Sequence, residues 1–108
     1  MAHDYAAQRS ETYAVFAEIA EGADLPDIAD IDYAFVPGDA PDWDALEDAL
    51  SEAGFECARV ADDEAAPYLA ARLPDQPVTA MAIWLGEETA TALALAHGFQ
   101  PDGWGFMG

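Results

Sequence analysis

Apolar side chains recur every three to four residues over residues 4–21, and this spacing predicts an amphipathic helix near the start of the chain. Gly22 stands where such a helix is expected to stop. Residues 23–31 are rich in aspartate and are expected to form a loop. The inner face of the helix is expected to consist of Tyr5, Thr12, Tyr13, Phe16, Ile19 and Ala20.

The clearest helical pattern lies over residues 41–53. Pro41 suits the first turn of a helix, and Gly54 suits its end. Asp42 and Asp44 complement the positive charge of a helix start. The apolar stripe of this helix is expected to comprise Trp43, Leu46, Leu50 and Ala53, and its solvent face Asp44, Glu47, Asp48 and Glu52.

Short extended runs predict four strands. Residues 32–37 form the first run, which ends in a Pro-Gly pair, and residues 55–61 form the second. Residues 62–64 are polar and predict a turn, after which 66–73 is expected to return as the second arm of a hairpin. Residues 99–106 are expected to form a last extended segment.

The segment between these last two strands leaves two interpretations open. The first is a long helix over 76–97, with Asp75 as its cap and Pro77 in its first turn. The second makes 78–85 a strand and begins the helix at Glu87, and local pattern does not separate the two. The inner face of the long helix is expected to hold Val78, Met81, Leu85, Ala92, Leu93 and Ala96.

The predicted order is a helix followed by strand–helix–strand–strand–helix–strand. The last six elements match the split βαβ, or ferredoxin-like, arrangement. We therefore expect an α+β fold, a ferredoxin-like βαββαβ sandwich with an additional N-terminal helix, built as one domain over residues 1–108. The additional helix is expected to pack on the sandwich, because its aromatic stripe would otherwise face water.

The charge balance restricts the possible partners. The 108 residues include 22 acidic residues, three arginines and no lysine, which gives a net charge of −19. Nucleic acids and anionic membranes both require clustered cations, so neither is expected to bind directly. A protein partner with a basic surface is favoured instead. Adaptation to high salt produces the same acidity, so binding and habitat both stay open as explanations.

The chain offers little for redox, metal or secretion chemistry. Cys57 is the single cysteine, which rules out an internal disulfide and a multi-cysteine zinc site. No metal or cofactor is expected. No run of about 18 apolar residues is present. The first residues lack the basic region and apolar run of a secretion signal, so a cytoplasmic location is expected.

No catalytic constellation emerges from the sequence. His3 and His97 fall near the chain start and at a predicted helix end, where neither has an oriented partner. Cys57 has no basic neighbour that would activate it, so a buried structural thiol is expected. We therefore expect a protein without enzyme activity. A carboxylate pair in a pocket stays open as an enzymatic alternative.

Three features call for a specific explanation. Arg9 lies within the apolar stripe of the first helix and is expected to pair with a carboxylate, with Asp102 as first candidate. Trp84 can flank the core, whereas Ile83 is expected on the opposite side of its helix. Asp102-Gly103-Trp104-Gly105 places an indole between two glycines. We expect this indole to pack near the first helix, with an exposed binding residue as the alternative.

The same residues resemble motifs of a known family. Gln8-Arg9-Ser10-Glu11-Thr12 is similar to a Gln-Arg-x-Glu-Thr element, and Asp102-Gly103-Trp104-Gly105 is similar to a closing motif of that family. Glu21-Gly22, Asp32-Tyr33-Ala34-Phe35 and Gly54-Phe55 follow in the family's order. Over roughly residues 5–106 the chain resembles the regulator of ribonuclease activity B family, protein inhibitors of ribonuclease E.

The resemblance implies a ferredoxin-like sandwich without enzyme activity that binds a ribonuclease, with ribonuclease E as the candidate partner, and restrains RNA cleavage. It favours the long helix over 76–97. The candidate partner-binding residues that it implies are Gln8, Arg9, Glu11, Thr12, Asp102, Gly103, Trp104 and Gly105.

The leading hypothesis is therefore a non-enzymatic inhibitor or adaptor that binds a basic surface of an RNA-processing enzyme. Its negative charge would occupy arginine-rich segments that contact RNA and would exclude RNA phosphate. The alternative is a generic acidic interaction domain without a ribonuclease partner. Under both hypotheses the chain is compatible with a homo-oligomer.

Overall fold

The computed structural model describes residues 3–62 and 65–106, which form a mixed α+β fold. Within these residues three helices accompany one four-stranded antiparallel sheet. Of the predicted turn over 62–64, residues 63 and 64 lie outside the described residues. The helices are α1 (Tyr5–Gly22), α2 (Trp43–Glu52) and α3 (Ala80–Ala96), and the strands are β1 (Ile28–Pro37), β2 (Glu56–Asp62), β3 (Ala65–Pro77) and β4 (Phe99–Phe106).

The four strands lie in the order β2-β3-β1-β4, so that β2 and β4 form the two edges of the sheet. Tyr33 of β1 pairs with Ala71 of β3 on one side and with Trp104 of β4 on the other. Directly paired residues point to the same face, so the Tyr33 and Trp104 side chains share the face that α2 and α3 cover. Near the middle of β4 the register shifts, and Asp102 is left outside the regular pairing.

The hydrophobic core lies between this face and helices α2 and α3. The predicted stripe of α2 is confirmed at Leu46 and Leu50, which are fully buried. Trp43 is partly buried and packs edge-on against Phe99, with 4.9 Å between ring centroids. The core cluster consists of Ile31, Tyr33, Phe35, Leu46, Leu50, Phe55, Leu69, Ala71, Ile83, Ala90, Ala94 and Phe99.

The position of α3 corrects two expectations. The helix begins after Thr79, whose hydroxyl accepts a hydrogen bond from the Ala82 amide, and not after Asp75. Asp75 lies inside β3 with a φ of 55°, and Pro77 is the last residue of that strand. The alternative in which 78–85 forms a strand is wrong, because the helix already includes most of that segment.

The face that α3 buries also differs from the expected one. Met81 and Leu85, predicted to face inward, are 62% and 54% exposed, whereas Ile83, predicted to point away, is fully buried. The Tyr33 side chain crosses α3 at Gly86, where a Cβ atom would overlap its hydroxyl group. The buried residues of α3 are Ile83, Trp84, Gly86, Glu87, Ala90, Thr91 and Ala94.

Helix α1 packs beside α3. Its predicted apolar stripe is only partly used: Phe16 packs against the core cluster, but Ile19 is 36% exposed. The one buried residue of α1 is polar, Thr12. Polar contacts therefore contribute much of the attachment of α1. Among the described residues, no helix is long and apolar enough to cross a membrane.

Candidate functional site

The two sequence motifs meet at one groove, although they lie at opposite ends of the chain. The groove has a volume of about 570 Å³ and runs between α1, α3 and β4. Gln8, Glu11 and Thr12 line it from α1. The 101–104 segment of β4 lines the opposite wall, and Glu87 of α3 contributes between them. We refer to this feature as the motif groove.

A hydrogen-bonded network forms the inner end of the motif groove. The Thr12 hydroxyl donates to Oε1 of Glu87, which is only 6% exposed. The Gln8 amide nitrogen donates to Oε2 of Glu87 at 3.2 Å and to the Thr91 hydroxyl at 3.0 Å. The Gln8 amide oxygen lies 2.7 Å from Nε2 of His3. Two of the candidate partner-binding residues, Gln8 and Thr12, therefore hold α1 against α3.

Burial raises the pKa of the Glu87 carboxyl above its ordinary value. Hydrogen bonds from Thr12 and Gln8 partly oppose this shift, and the negative charge of Glu11 adds to it. A buried carboxyl at a groove is also the feature that would favour an enzyme. Here both carboxylate oxygens already accept hydrogen bonds from α1, which makes Glu87 an anchor for that helix. Within the described residues no cluster of three metal-binding side chains occurs.

Sequence reasoning missed Glu87 and Thr91. They lie one turn apart on the same side of α3 as the buried Ile83 and Ala94. Their spacing from these apolar residues was the signal available in the sequence, because it places a glutamate and a threonine on a buried helix face. A buried polar residue requires a hydrogen-bond partner, so a polar contact with another element was to be expected. On the first helix, the matching positions are Gln8 and Thr12, which are also one turn apart.

Trp104 is half-buried and borders the motif groove. It packs against the core cluster and stacks on Phe106, with 6.3 Å between ring centroids and nearly parallel planes. The bulge at Asp102 and the φ of 130° at Gly103 shape the backbone before it. A φ in this range suits glycine, which explains that residue at position 103. The indole is partly buried against the core cluster, and it borders the same groove as α1, which agrees with the expectation that it packs near the first helix.

Arg9 and Gly105 lie outside the motif groove. The Arg9 side chain is exposed, and its guanidinium carbon lies 4.7 Å from the centre of the Tyr13 ring. No ion pair of Arg9 occurs within the described residues, so the expected pairing with Asp102 is not found. Gly105 pairs with Asp32 and belongs to the uncovered face of the sheet.

The uncovered sheet face carries a second groove, of about 650 Å³. Five of the residues that line it are alanine or glycine, and an ion pair between Arg72 and Asp32, 2.8 Å long, lies on the same face. Cys57 lies at its border, and burial raises the pKa of the thiol, with a further contribution from Glu47. A raised pKa disfavours the reactive thiolate. The small residues are Ala34, Ala58, Ala70, Gly103 and Gly105.

The motif groove is negatively charged. No arginine lines it among the described residues, and its acidic members are Asp4, Glu11, Glu87 and Asp102. The other two arginines are engaged elsewhere: Arg59 pairs with Asp44 and Glu47, at 2.6 and 2.7 Å, and Arg72 pairs with Asp32. The groove therefore combines an aromatic wall with carboxylates that no arginine within the chain neutralises.

Comparison with known proteins supports the resemblance of the motifs. The family model described as "Regulator of ribonuclease activity B" matches residues 9–106, nearly the whole chain. The matched range includes Glu11, Thr12 and the complete Asp102–Gly105 motif. A search of curated proteins found no match.

Proposed function

The chain belongs to the regulator of ribonuclease activity B family, and from that premise we propose that it restrains a ribonuclease by binding a basic segment of the enzyme. Ribonuclease E is the candidate enzyme. The protein acts without catalysis, in the cytoplasm, and as one domain over residues 1–108. We assign its fold to the ferredoxin-like βαββαβ sandwich with α1 as an addition, an assignment that the strand order β2-β3-β1-β4 supports.

The observation that carries this proposal is the motif groove. Residues from both family motifs line it, and they surround a half-buried tryptophan with acidic side chains. Tryptophan is enriched at the energetic centres of protein interfaces, where part of its surface is already packed and the rest contacts the partner. A groove of this composition suits a positively charged protein segment and repels nucleic acid.

The mechanism is competition for the same cations. Enzymes that act on RNA hold its phosphates with lysine and arginine, and these contacts supply much of their affinity for RNA. A protein with a net charge of −19 is attracted to such a segment and repels RNA phosphate once bound. Because this electrostatic attraction acts over a long range, it also increases the rate at which the two proteins associate.

A cleavage assay tests the proposal. Purified ribonuclease E is incubated with RNA and increasing amounts of the protein, and complex formation is measured in parallel by surface plasmon resonance. We expect cleavage to slow in proportion to the fraction of enzyme bound. Absence of both binding and inhibition would overturn the proposal and favour a generic acidic interaction domain.

Two substitutions locate the binding surface. Trp104→Ala is expected to weaken binding to the ribonuclease, whereas Leu85→Ala, on the exposed side of α3, is expected to leave it unchanged. Thermal melting of both variants serves as the control for folding. Because Trp104 is half-buried, its loss should destabilise the fold by less than the about 3–5 kcal/mol of a fully buried aromatic residue. Equal binding by both variants would exclude the motif groove as the interface.

A further inference from the structure

We propose that the motif groove is a receptor for a single arginine side chain of the partner segment. This inference rests on the proposed function and deepens it, because it names the side chain that the groove recognises. The groove volume of about 570 Å³ lies within the about 300–1,000 Å³ that is typical of ligand sites. The guanidinium group would lie against Trp104 and between the carboxylates of Glu11 and Asp102.

Two carboxylates of the groove are available for a ligand. Glu87 is occupied, because Thr12 and Gln8 donate to its two oxygens, and Asp4 accepts a hydrogen bond from the Ala7 amide as the N-cap of α1. Glu11 and Asp102, in contrast, are exposed, and within the described residues neither side chain takes part in a hydrogen bond or an ion pair with another side chain. They belong to the α1 wall and the β4 wall respectively, so a cation placed in the groove meets a negative charge on both sides.

The positive charge must come from another molecule. The chain has no lysine, and each of its three arginines lies elsewhere: Arg59 and Arg72 in ion pairs, and Arg9 over the Tyr13 ring. A second copy of this chain would bring another net charge of −19, so mutual repulsion opposes it as the occupant. A basic segment of a different protein supplies the complementary charge.

Arginine fits the motif groove better than lysine. A guanidinium group is planar, so it stacks on an indole ring while its edge donates two parallel hydrogen bonds to a carboxylate. Trp104, Glu11 and Asp102 all line the groove, so an aromatic residue and two carboxylates are available to one ligand. An ammonium group is a compact point charge that cannot use both features at once. Carboxylates elsewhere on the surface attract arginine and lysine about equally, because they are not combined with an aromatic residue in a groove.

The test uses the full chain and two synthetic peptides of equal length and charge, one with arginines and one with lysines in the same positions. Calorimetric titration gives both dissociation constants. We expect the arginine peptide to bind about tenfold more tightly, because stacking and bidentate contacts favour guanidinium. In the double variant Glu11→Gln/Asp102→Asn, this preference should fall to about twofold or less.

A matched control separates the groove from general charge. The double variant Asp48→Asn/Glu52→Gln removes the same two charges from the exposed side of α2 and should keep the arginine preference. Equal affinity of the unmodified protein for both peptides would overturn the inference. So would an equal loss of preference in both double variants. A groove variant that changed the oligomeric state without any peptide would overturn it too, because a second copy would then be the occupant.

The outcomes also distinguish this inference from the proposed function. Inhibition of the ribonuclease without an arginine preference would overturn the arginine receptor and leave the regulatory function intact. An arginine preference that disappears in Glu11→Gln/Asp102→Asn, combined with no effect on any ribonuclease reaction, would support the receptor and overturn the proposed function.

Discussion

Gly86 determines how α3 lies on the sheet. The Tyr33 hydroxyl donates to the Ile83 carbonyl oxygen at 2.8 Å, and a Cβ atom at position 86 would overlap that hydroxyl. Burial, with a smaller contribution from Glu87, raises the pKa of Tyr33, so this phenol stays protonated and able to donate. Glycine in a helix is normally unfavourable, but here it creates the space that a core tyrosine occupies.

Gly86→Ala is therefore expected to destabilise the protein by about 1–3 kcal/mol, the range for overpacking a core. Urea unfolding measures this change. In the background of Tyr33→Phe, which lacks the hydroxyl, the same substitution should have a smaller effect, so the two changes are not additive. Gly22→Ala is the matched control, because a Cβ atom at that helical position meets nothing within 4 Å. Equal effects at both glycines would contradict this account of Gly86.

The titration of Glu87 gives a prediction about pH. Its pKa is raised in the folded protein, so the folded state binds a proton more readily than the unfolded state. The resulting stabilisation is complete below the ordinary carboxyl pKa and is lost as the pH rises through the raised value. Glu87→Gln cannot titrate but keeps the shape and an oxygen acceptor for Thr12.

We expect the free energy of unfolding of the parent, relative to Glu87→Gln, to decrease as the pH rises above the ordinary carboxyl pKa. Above the raised pKa the variant should equal or exceed the parent in stability, because it buries no charge. Glu87→Ala should be less stable than both, since Thr12 and Gln8 lose their acceptor. Denaturant titrations at several pH values measure all three proteins. A constant difference between parent and Glu87→Gln would contradict the assigned shift.

At the scale of secondary-structure elements, α1 depends on a few polar contacts for its position. Thr12→Val removes one donor to Glu87 with little change in volume and should destabilise the docked helix by about 1–3 kcal/mol. Amide hydrogen exchange should then accelerate in α1 more than in the sheet. Thr89→Val, at an exposed position of α3, is the control and should leave exchange in α1 unchanged. Uniform acceleration across the molecule would show that α1 is not a separate unit.

The elements that sequence alone predicts well are those with strong local signals. Helix α2 has an Asp42 cap and a narrow apolar stripe, and its observed bounds are close to the predicted ones. The extended segment predicted over 99–106 coincides with β4. Helix α3 is rich in alanine and apolar on most sides, so periodicity does not identify its buried face. Tertiary contacts with Tyr33 and α1 determine that face, and the spacing of residues within α3 gives no information about these contacts.

The candidate site follows the same rule. The motifs identify Trp104 and the α1 residues, but not which of them have structural contacts. The Gln8 and Thr12 side chains point towards α3 because Glu87 accepts hydrogen bonds from both. The Arg9 side chain lies over the Tyr13 ring instead. A single sequence places residues on elements, whereas these partners depend on how two helices pack.

At the scale of the whole molecule, net charge acts on stability and on binding in opposite directions. The molecule measures 39 × 31 × 30 Å, and its charge is −19. At about 0.01 M salt the screening length is about 30 Å, so nearly all its charges repel one another, whereas at about 1 M the length is about 3 Å. Self-repulsion destabilises a compact state, and attraction to a basic partner depends on the same unscreened field.

Increasing salt over this range is therefore expected to raise the melting temperature of the protein and to weaken its complex with the ribonuclease. Calorimetric melting and surface plasmon resonance in the same buffers measure the two effects, and the association rate should decrease more than the dissociation rate increases. An affinity that stays constant between low and high salt would contradict the electrostatic mechanism, whatever happens to the melting temperature.

The bulge in the middle of β4 has a consequence for protein molecules that meet in concentrated solution. A regular edge strand offers a row of free N–H and C=O groups that can template the addition of a strand from another chain, and this is a route to fibrils. In β4, Pro101 has no N–H group to offer, and the bulge at Asp102 interrupts the row beside a glycine with a φ of 130°. The bulge beside the motif groove is thus also expected to hinder the addition of a strand from another molecule at this edge.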